Sequence, residues 1–398
     1  MFSETVTYLI TLLPLWTVSL GNSPESGYSS PLITEHRIYI TGNENDLHTI
    51  FCFDLDGQFV WKYQSGQGWT DLFPGTRSTP IIDLIDLIDK VPNLYDESPL
   101  GKLVCLNAQS GKLVWQRNLL DDYETPNLLY GRSGSLLIDE QKLFTQLGGN
   151  KGSILCLDKT TGQTLWLAPS TGHPAGYGTP VLFRSNGRKL IAAMDAKGIF
   201  VVDRQNVQLL FHVRHPARLD ENITTPIYHN NQLFIYNGAG SDSKLLKLFL
   251  DGETIRVKEL WTNHLLANTH GGVKLLDGQL YGATNKRGGG IACICFENGA
   301  DRFLDRKITR GSFDVVDGVF YILTEFGEVV VAKPNEKAFT ILTRLQLPDA
   351  EDGQAYAHPV VHNNRLYVRI NETLHCIEIR KSVVSSQLSV VSSDPAMK

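Results

Sequence analysis

One hairpin sequence, which occurs three times, limits what this chain can fold into. It runs LVCLNAQSGKLVW at Leu103–Trp115, returns as ILCLDKTTGQTLW at Ile154–Trp166, and stands one residue shorter at Ile50–Trp61. Each copy reads as a strand, a tight turn and a second strand that reaches a tryptophan. Gly111 lies in the turn, where a glycine accepts a positive φ at no steric cost. Copies of one hairpin with fixed Gly and Trp positions indicate a repeat architecture.

The same spacing continues along the chain and predicts an all-β fold, an eight-bladed β-propeller of four-stranded antiparallel blades. Four of the eight blades open on a short Ser-Pro or Thr-Pro step, as in Gly75–Pro80 and Ala175–Pro180. The last repeat stops at Cys376–Arg380 without its Trp-bearing strand, whereas Leu15–Leu20 is such a strand without a repeat. Pairing the two closes the ring and removes an exposed edge. A two-domain sandwich is the structural alternative, but it does not explain the split repeat.

The predicted organisation is one propeller with a short segment at either end. Residues 1–14 are taken as an N-terminal extension, 15–381 as the propeller and 382–398 as a flexible, Ser-rich tail. The start of the chain is apolar but MFSETVT carries no Lys or Arg, which argues against a signal peptide.

Charge and cysteine usage exclude several function classes. The net charge of -5 and pI near 6.1 offer no electrostatic basis for binding nucleic acid. No apolar run is long enough to span a membrane. Five of the cysteines recur at one position of successive repeats, where they lie too far apart to pair, and no CxxC occurs. We expect small, buried, apolar side chains rather than disulfides or a metal site.

The hairpin at Asp158–Trp166, D-x-x-T-G-x-x-x-W, resembles the PQQ-like repeat (PQQ, pyrroloquinoline quinone). This repeat builds the propellers of the quinoprotein alcohol dehydrogenase-like superfamily and of the outer-membrane assembly propeller of Gram-negative bacteria. The resemblance covers residues 15–381 and implies an exported, periplasmic location. Because the chain shows no convincing signal peptide, the localisation is left open. The quinoprotein enzymes use an adjacent Cys-Cys pair, a Trp, and Glu, Asn and Asp around Ca²⁺. This chain has no adjacent cysteines and no matching acidic cluster, so no cofactor is expected in the leading interpretation.

Residues at the blade openings are expected to converge on one mouth of the central channel. They are Tyr28, Arg77, Arg132, Tyr177, Asn222, His270, Arg310 and His358. The guanidinium group of an arginine can donate two parallel hydrogen bonds to a carboxylate or phosphate, and tyrosine rings stack on flat ligands. The alternative is that these side chains bond neighbouring backbones or line a water-filled channel. Two histidines without a third ligand do not define a metal site.

The repeat tryptophans are expected to pack between blades rather than to bind a cofactor. They are Trp16, Trp61, Trp115, Trp166 and Trp261. Trp69 falls outside the repeat position and either caps the mouth or buries itself against the second blade.

The resulting functional prediction is a non-catalytic binding or scaffold propeller, with a basic, aromatic channel mouth for a protein or a small anionic ligand. A PQQ-dependent alcohol or sugar dehydrogenase, with PQQ and Ca²⁺ at the same mouth, is the alternative, and an unrelated hydrolase or lyase is a third. Neither a catalytic residue nor an oligomeric state is assigned.

Overall fold

The chain forms eight four-stranded antiparallel sheets, which confirms the predicted eight-bladed propeller. The computed structural model describes residues 7–22, 27–83, 91–238, 242–251, 254–267, 270–348, 350 and 354–384. In each blade the strands follow one another in chain order from the innermost strand outward, except in the blade that contains both ends of the described chain.

The first four blades take up residues 32–214. Their strands are β2 (Leu32–Ile33), β3 (Ile38–Glu44), β4 (Leu47–Phe53) and β5 (Phe59–Gln67); β6 (Ile81–Ile82), β7 (Asn93–Glu97), β8 (Lys102–Asn107) and β9 (Leu113–Asn118); β10 (Leu137–Asp139), β11 (Lys142–Gly148), β12 (Gly152–Asp158) and β13 (Thr164–Leu167); β14 (Val181–Ser185), β15 (Arg188–Met194), β16 (Gly198–Asp203) and β17 (Gln208–Arg214). A one-turn helix, α1 (Leu119–Asp122), follows β9.

The remaining blades continue the pattern. Their strands are β18 (Ile227–His229), β19 (Gln232–Ile235), β20 (Ser243–Asp251) and β21 (Thr254–Asn263); β22 (Val273–Leu276), β23 (Gln279–Thr284), β24 (Gly290–Cys295) and β25 (Asp301–Asp305); β26 (Gly311–Val316), β27 (Val319–Thr324), β28 (Glu328–Pro334) and β29 (Phe339–Gln346); β30 (Val360–His362), β31 (Arg365–Ile370) and β32 (Thr373–Val384), with β1 (Thr7–Ser19) outside β32. Short 3-10 turns occur at Arg218–Asp220 and Lys286–Gly288.

The ring is closed by the two ends of the described chain, as the split repeat predicts. β1 pairs antiparallel with β32, and Trp16 lies opposite Cys376. The strand begins at Thr7 rather than near residue 15, because Ile10 and Leu12 continue the apolar alternation and are buried between the seventh and eighth blades. Its partner runs to Val384, beyond the predicted limit of 381. Residues 1–6 and most of the predicted tail, 385–398, lie outside the described residues.

The hydrophobic core is divided among the blade interfaces. Each interface between neighbouring blades has its own buried cluster, and that between the first and second blades joins Ile50 and Cys52 to Leu94 and Val104. Burial of this apolar surface is what holds one blade against the next. All six cysteines are buried and unpaired, as predicted. No helix among the described residues is long and apolar enough to cross a membrane.

The repeated Gly and Trp are explained by a contact between successive blades. Trp61 of the first blade packs on Gly111 of the second. A side chain at position 111 would place its Cβ atom within 2.6 Å of the indole ring. Gly111 also has φ +69°, which disfavours any other residue. The Trp61 Nε1–H donates to the Ala108 carbonyl at 3.1 Å. The same contact joins Trp16 to Gly57, Trp115 to Gly162 and Trp261 to Gly299.

Candidate functional site

A cavity of about 670 Å³ opens at one mouth of the ring. It lies within the size range of small-molecule sites. Its walls come from the opening segments of every blade except the seventh, because these segments precede the innermost strands and converge on the axis. The predicted residues on its lining are Tyr28, Arg77, Tyr177, His270 and His358. We call this space the mouth cavity.

A continuous column of stacked groups forms one wall of the mouth cavity. The rings of His270 and Tyr356 are stacked with centroids 4.2 Å apart and an interplanar angle of 25°. Tyr356 stacks in turn on Tyr28, at 5.6 Å and 22°. The Arg77 guanidinium continues the column, 5.3 Å from the Tyr28 centroid and 5.8 Å from that of Trp69. Four separate segments therefore hold one another in register by ring contacts.

Arg77 is the cation that this column presents to the cavity. Its guanidinium donates to the carbonyls of Gly75 (2.9 Å), Leu72 (3.3 Å) and Phe73. These bonds use three of the five N–H groups of an arginine. None of the ion pairs among the described residues involves Arg77. Burial lowers its pKa to about 10, so the side chain is still charged at neutral pH.

A second aromatic group, made by Phe73, Tyr130 and Tyr177, lines the mouth cavity next to Arg77. Tyr130 contacts Phe73 edge-on at 5.8 Å and lies 5.9 Å from Tyr177. The Tyr130 hydroxyl donates to Glu221 Oε1 at 2.8 Å. Burial, with this carboxylate next in effect, raises the pKa of Tyr130 to about 12. The wall therefore offers neutral rings and one hydrogen-bonded carboxylate.

Lys274 and His358 complete the lining on the side of the sixth and eighth blades. Lys274 is exposed, and its Nζ is 3.9 Å from Asp314 Oδ1. Burial lowers the pKa of His358 to about 4, with the charges of Lys274 and His270 adding to the effect. His358 is therefore a neutral imidazole at pH 7. Among the described lining residues, the permanent charges are those of Arg77, Lys274 and Glu221.

Two predicted mouth arginines lie outside the mouth cavity, because each is paired with a glutamate. Arg132 is 5% exposed and forms an ion pair with Glu97 in the neighbouring blade, beside a void of about 10 Å³. Arg310 holds Glu325 through two contacts, Nε–Oε2 at 3.0 Å and Nη2–Oε2 at 2.7 Å. His270 Nε2 also lies 2.9 Å from Glu325 Oε1. The predicted ring of three free arginines is thus reduced to Arg77.

The remaining predicted positions are structural. Asn222 is fully buried and donates to the carbonyls of Asp195 (2.7 Å) and His215 (3.0 Å). Trp69 is 8% exposed, with its Nε1–H donating to the Leu72 carbonyl at 2.9 Å, so it supports Arg77 from behind and does not cap the mouth.

Among the aromatic and charged side chains of the lining, sequence reasoning missed Phe73, Tyr130, Glu221, Lys274 and Tyr356. Tyr130 and Tyr356 stand two residues before the arginine and histidine chosen in their segments. An extended segment points every second residue to the same side, which places Tyr356 with His358 on the lining. The rule fails for Tyr130, because Arg132 turns away from the cavity to pair with Glu97. Phe73 and Lys274 carry no repeat signal.

Comparison with known proteins assigns the chain to a family. The family model for the outer membrane protein assembly factor BamB matches residues 13–173 and 93–303. The chain belongs to this BamB-type family of PQQ-like propellers. The BamB crystal structure from Moraxella catarrhalis superposes with a TM-score of 0.61 at 16% identity, covering 92% of this chain and 98% of that one.

Quinoprotein dehydrogenases share the same propeller. The quinohemoprotein alcohol dehydrogenase of Comamonas testosteroni superposes with a TM-score of 0.63 at 11% identity, covering 92% of this chain and 76% of that one. The quinoprotein alcohol dehydrogenase PedH of Pseudomonas putida is 28% identical over 177 residues, 42% of this chain and 27% of PedH. The quinoprotein ethanol dehydrogenase of Pseudomonas aeruginosa is 22% identical over 210 residues, 49% of this chain and 30% of that enzyme. Each sequence match spans less than a third of the enzyme's length.

The mouth cavity fits one part of a PQQ–Ca²⁺ centre and not the other. Arg77, Lys274 and the stacked rings suit a flat carboxylated compound. Ca²⁺ takes six to eight oxygen ligands from carboxylates, carbonyls and waters, and Glu221 is the one carboxylate among the described lining residues. No two cysteines are adjacent in the chain. We therefore derive no redox step through that centre.

Proposed function

We propose that this BamB-type propeller is a non-catalytic binding protein whose mouth cavity takes a flat, anionic ring compound. The observation that carries the proposal is the position of Arg77, a half-buried cation stacked against two aromatic rings at the cavity wall. Withdrawing a charge from water is costly unless the charge is paired. An anion in the mouth cavity would supply the pairing that carbonyl oxygens provide only in part.

The shape of the cavity supports a flat ligand. The column from His270 to Arg77 and the group around Tyr130 form two aromatic walls. Rings of this kind stack on planar compounds. The charges of Arg77 and Lys274 favour a carboxylate or phosphate on such a compound, and Glu221 and the neutral His358 are positioned to accept or donate hydrogen bonds. Relationship to an outer membrane protein assembly factor favours a protein as a further partner of the ring.

The proposal is tested by titrating the purified chain with PQQ in the absence of Ca²⁺, since PQQ is a flat tricarboxylate. Quenching of tryptophan fluorescence reports binding, because Trp69 supports Arg77. Arg77→Met should weaken binding at least tenfold, the effect of losing a hydrogen bond to a charged group. Tyr356→Ala should weaken it and Tyr356→Phe should not, since phenylalanine keeps the stacked ring.

Two further variants serve as controls. Arg380→Met removes an exposed arginine far from the mouth, and Arg132→Met removes the arginine paired with Glu97. Both should leave the affinity for PQQ unchanged. Equal losses in Arg77→Met and Arg380→Met, or no saturable quenching by the unaltered chain, would refute an anion site in the mouth cavity.

The alternative function is a PQQ-dependent dehydrogenase, favoured by the sequence match to PedH. It makes a different prediction for the same preparation. With PQQ, Ca²⁺, an alcohol and an artificial electron acceptor, an enzyme would turn over and would need Ca²⁺ to do so. A binding protein would take up PQQ equally well with or without Ca²⁺ and would reduce no acceptor.

A further inference from the structure

A second group of functional side chains lies in the fourth blade, outside the mouth cavity. His173 precedes the innermost strand β14, Asp195 follows β15, and His212 lies on the outermost strand β17. Their ligand atoms all lie within 4.8 Å of one another, the only such group of three among the described residues. We propose that these residues form a binding site for a divalent transition-metal ion of the zinc type.

The fold brings the three residues together although they are far apart in sequence. The turn after β15 and the C-terminal part of β17 face the same side of the propeller as the blade opening, since antiparallel strands alternate in direction. An isolated bridge between Ala175 and Asp195 fixes the segment that carries His173 against this turn. No short motif marks the site, which explains why sequence analysis did not find it.

Asp195 and His212 are already in contact. His212 Nε2 lies 2.9 Å from Asp195 Oδ2 and 3.1 Å from Oδ1. The rings of His173 and His212 have centroids 5.3 Å apart at an angle of 51°. Metal–ligand lengths of about 2.0–2.2 Å put two ligands of a tetrahedral ion about 3.4 Å apart. To reach that geometry the His173 ring moves inward, and the His212–Asp195 contact at 2.9 Å lengthens as its hydrogen bond is replaced by bonds to the ion.

The carboxylate is held in place by the surrounding backbone. Asp195 is 1% exposed, and its Oδ1 accepts hydrogen bonds from the N–H groups of Lys197 and Gly198, each at 2.8 Å. Backbone hydrogen bonds to a metal-binding carboxylate hold it in a fixed orientation. The ammonium group of Lys197 pairs with Asp220 at 2.5 Å and so does not compete for the carboxylate.

The ligand types select the metal. Two imidazoles and one carboxylate suit Zn²⁺ and similar first-row ions, whereas Ca²⁺ and Mg²⁺ prefer oxygen ligands alone. Three protein ligands leave a coordination position open to water. His173 also lies four residues before Tyr177 of the mouth cavity, so a bound ion would tie the wall of the cavity to the outer strand of the blade.

The site is tested on the full chain after treatment with EDTA and removal of the chelator. Calorimetric titration with ZnCl₂ should show one ion per chain, and CoCl₂ should give visible absorption bands from bound cobalt. A ligand that binds only the folded state raises the melting temperature, so Zn²⁺ should stabilise the chain. His173→Ala and His212→Ala should each reduce the affinity at least tenfold and remove the cobalt bands.

The choice of variants separates metal binding from folding. The His173 ring makes no hydrogen bond to any described residue, so His173→Ala should melt like the unaltered chain without metal. Asp195→Asn keeps an oxygen that accepts the turn's backbone bonds and should weaken Zn²⁺ binding without unfolding the blade. His36→Ala, at an exposed histidine elsewhere, should have no effect. The proposal is overturned by absence of stoichiometric binding, or by equal effects of His36→Ala and His173→Ala.

Discussion

Replacing Gly111 by alanine measures what the repeated Gly–Trp contact contributes to the ring. A left-handed backbone costs a non-glycine residue about 1–2 kcal/mol, and Gly111 has φ +69°. The added methyl group would lie within 2.6 Å of the Trp61 ring, and overpacking of this kind costs about 1–3 kcal/mol. We therefore expect Gly111→Ala to reduce the free energy of unfolding by about 2–5 kcal/mol.

The expected change in melting temperature follows from the size of the chain. An unfolding entropy of about 2.1 cal/mol/K per residue over 398 residues makes 1 kcal/mol equal to about 1.2 °C, if the ring unfolds as one unit. Gly111→Ala should therefore lower the melting temperature by about 2–6 °C in differential scanning calorimetry. Gly278→Ala is the matched control. Gly278 also has a positive φ, +72°, but a Cβ atom added there would have no neighbour within 4 Å, so the substitution tests the backbone cost alone. It should lose only about 1–2 °C.

A double variant isolates the contact itself. Trp61→Ala alone is expected to cost about 3–5 kcal/mol, as large buried aromatic residues do. In Gly111→Ala/Trp61→Ala the steric conflict disappears, so the combined cost should be smaller than the sum by about 1–3 kcal/mol. Equal falls in melting temperature for Gly111→Ala and Gly278→Ala, together with additive losses of unfolding free energy in the double variant, would refute a stabilising contact between Gly111 and Trp61.

Three other perturbations test separate features, the first two by urea unfolding and the third by thermal unfolding. Arg132→Met leaves Glu97 buried without its partner and should cost about 3–5 kcal/mol; a cost near zero would contradict the pairing. Burial raises the pKa of Glu372 to about 7 from 4.5, so the folded state binds this proton more tightly than the unfolded state. The stability of the unaltered chain relative to Glu372→Gln should be greatest below pH 4.5 and fall by about 3 kcal/mol as the pH rises through 7; parallel pH profiles would contradict the shift. Deletion of residues 7–19 removes β1 and should lower the melting temperature more than Gly111→Ala does; an equal or smaller fall would show that ring closure contributes little.

Much of the fold follows from the sequence because its signals are local and repeated. Gly111 and Trp61 each mark one hairpin, and the structure joins them across a blade interface. Ring closure was also predictable, since a Trp-bearing strand without a repeat and a repeat without that strand complete each other. The length of β1 was underestimated because TYLITLL was interpreted as an extension rather than as a continuation of the strand.

Five of the residues predicted for the mouth line the cavity, but the chemistry of the lining depends on pairings between segments. Arg310 and Glu325 flank the hairpin of β26 and β27, so their proximity was predictable from antiparallel pairing. The Arg132–Glu97 pair joins two blades, and no repeat signal indicates it. The grouping of His173 with Asp195 and His212 likewise depends on tertiary structure.

The closure of the ring by β1 has a consequence for biosynthesis. β1 is synthesised before every other described strand, yet β32 follows it by about 350 residues, which at 5–20 residues per second is a delay of roughly 20–70 s. Throughout that time an apolar strand has no partner and is free to pair with another nascent chain. Pro14 stands within this strand, beside the bulge before Trp16, and a proline withholds one backbone donor from any incorrect partner. The strand that closes the ring thus carries a residue that hinders its premature pairing.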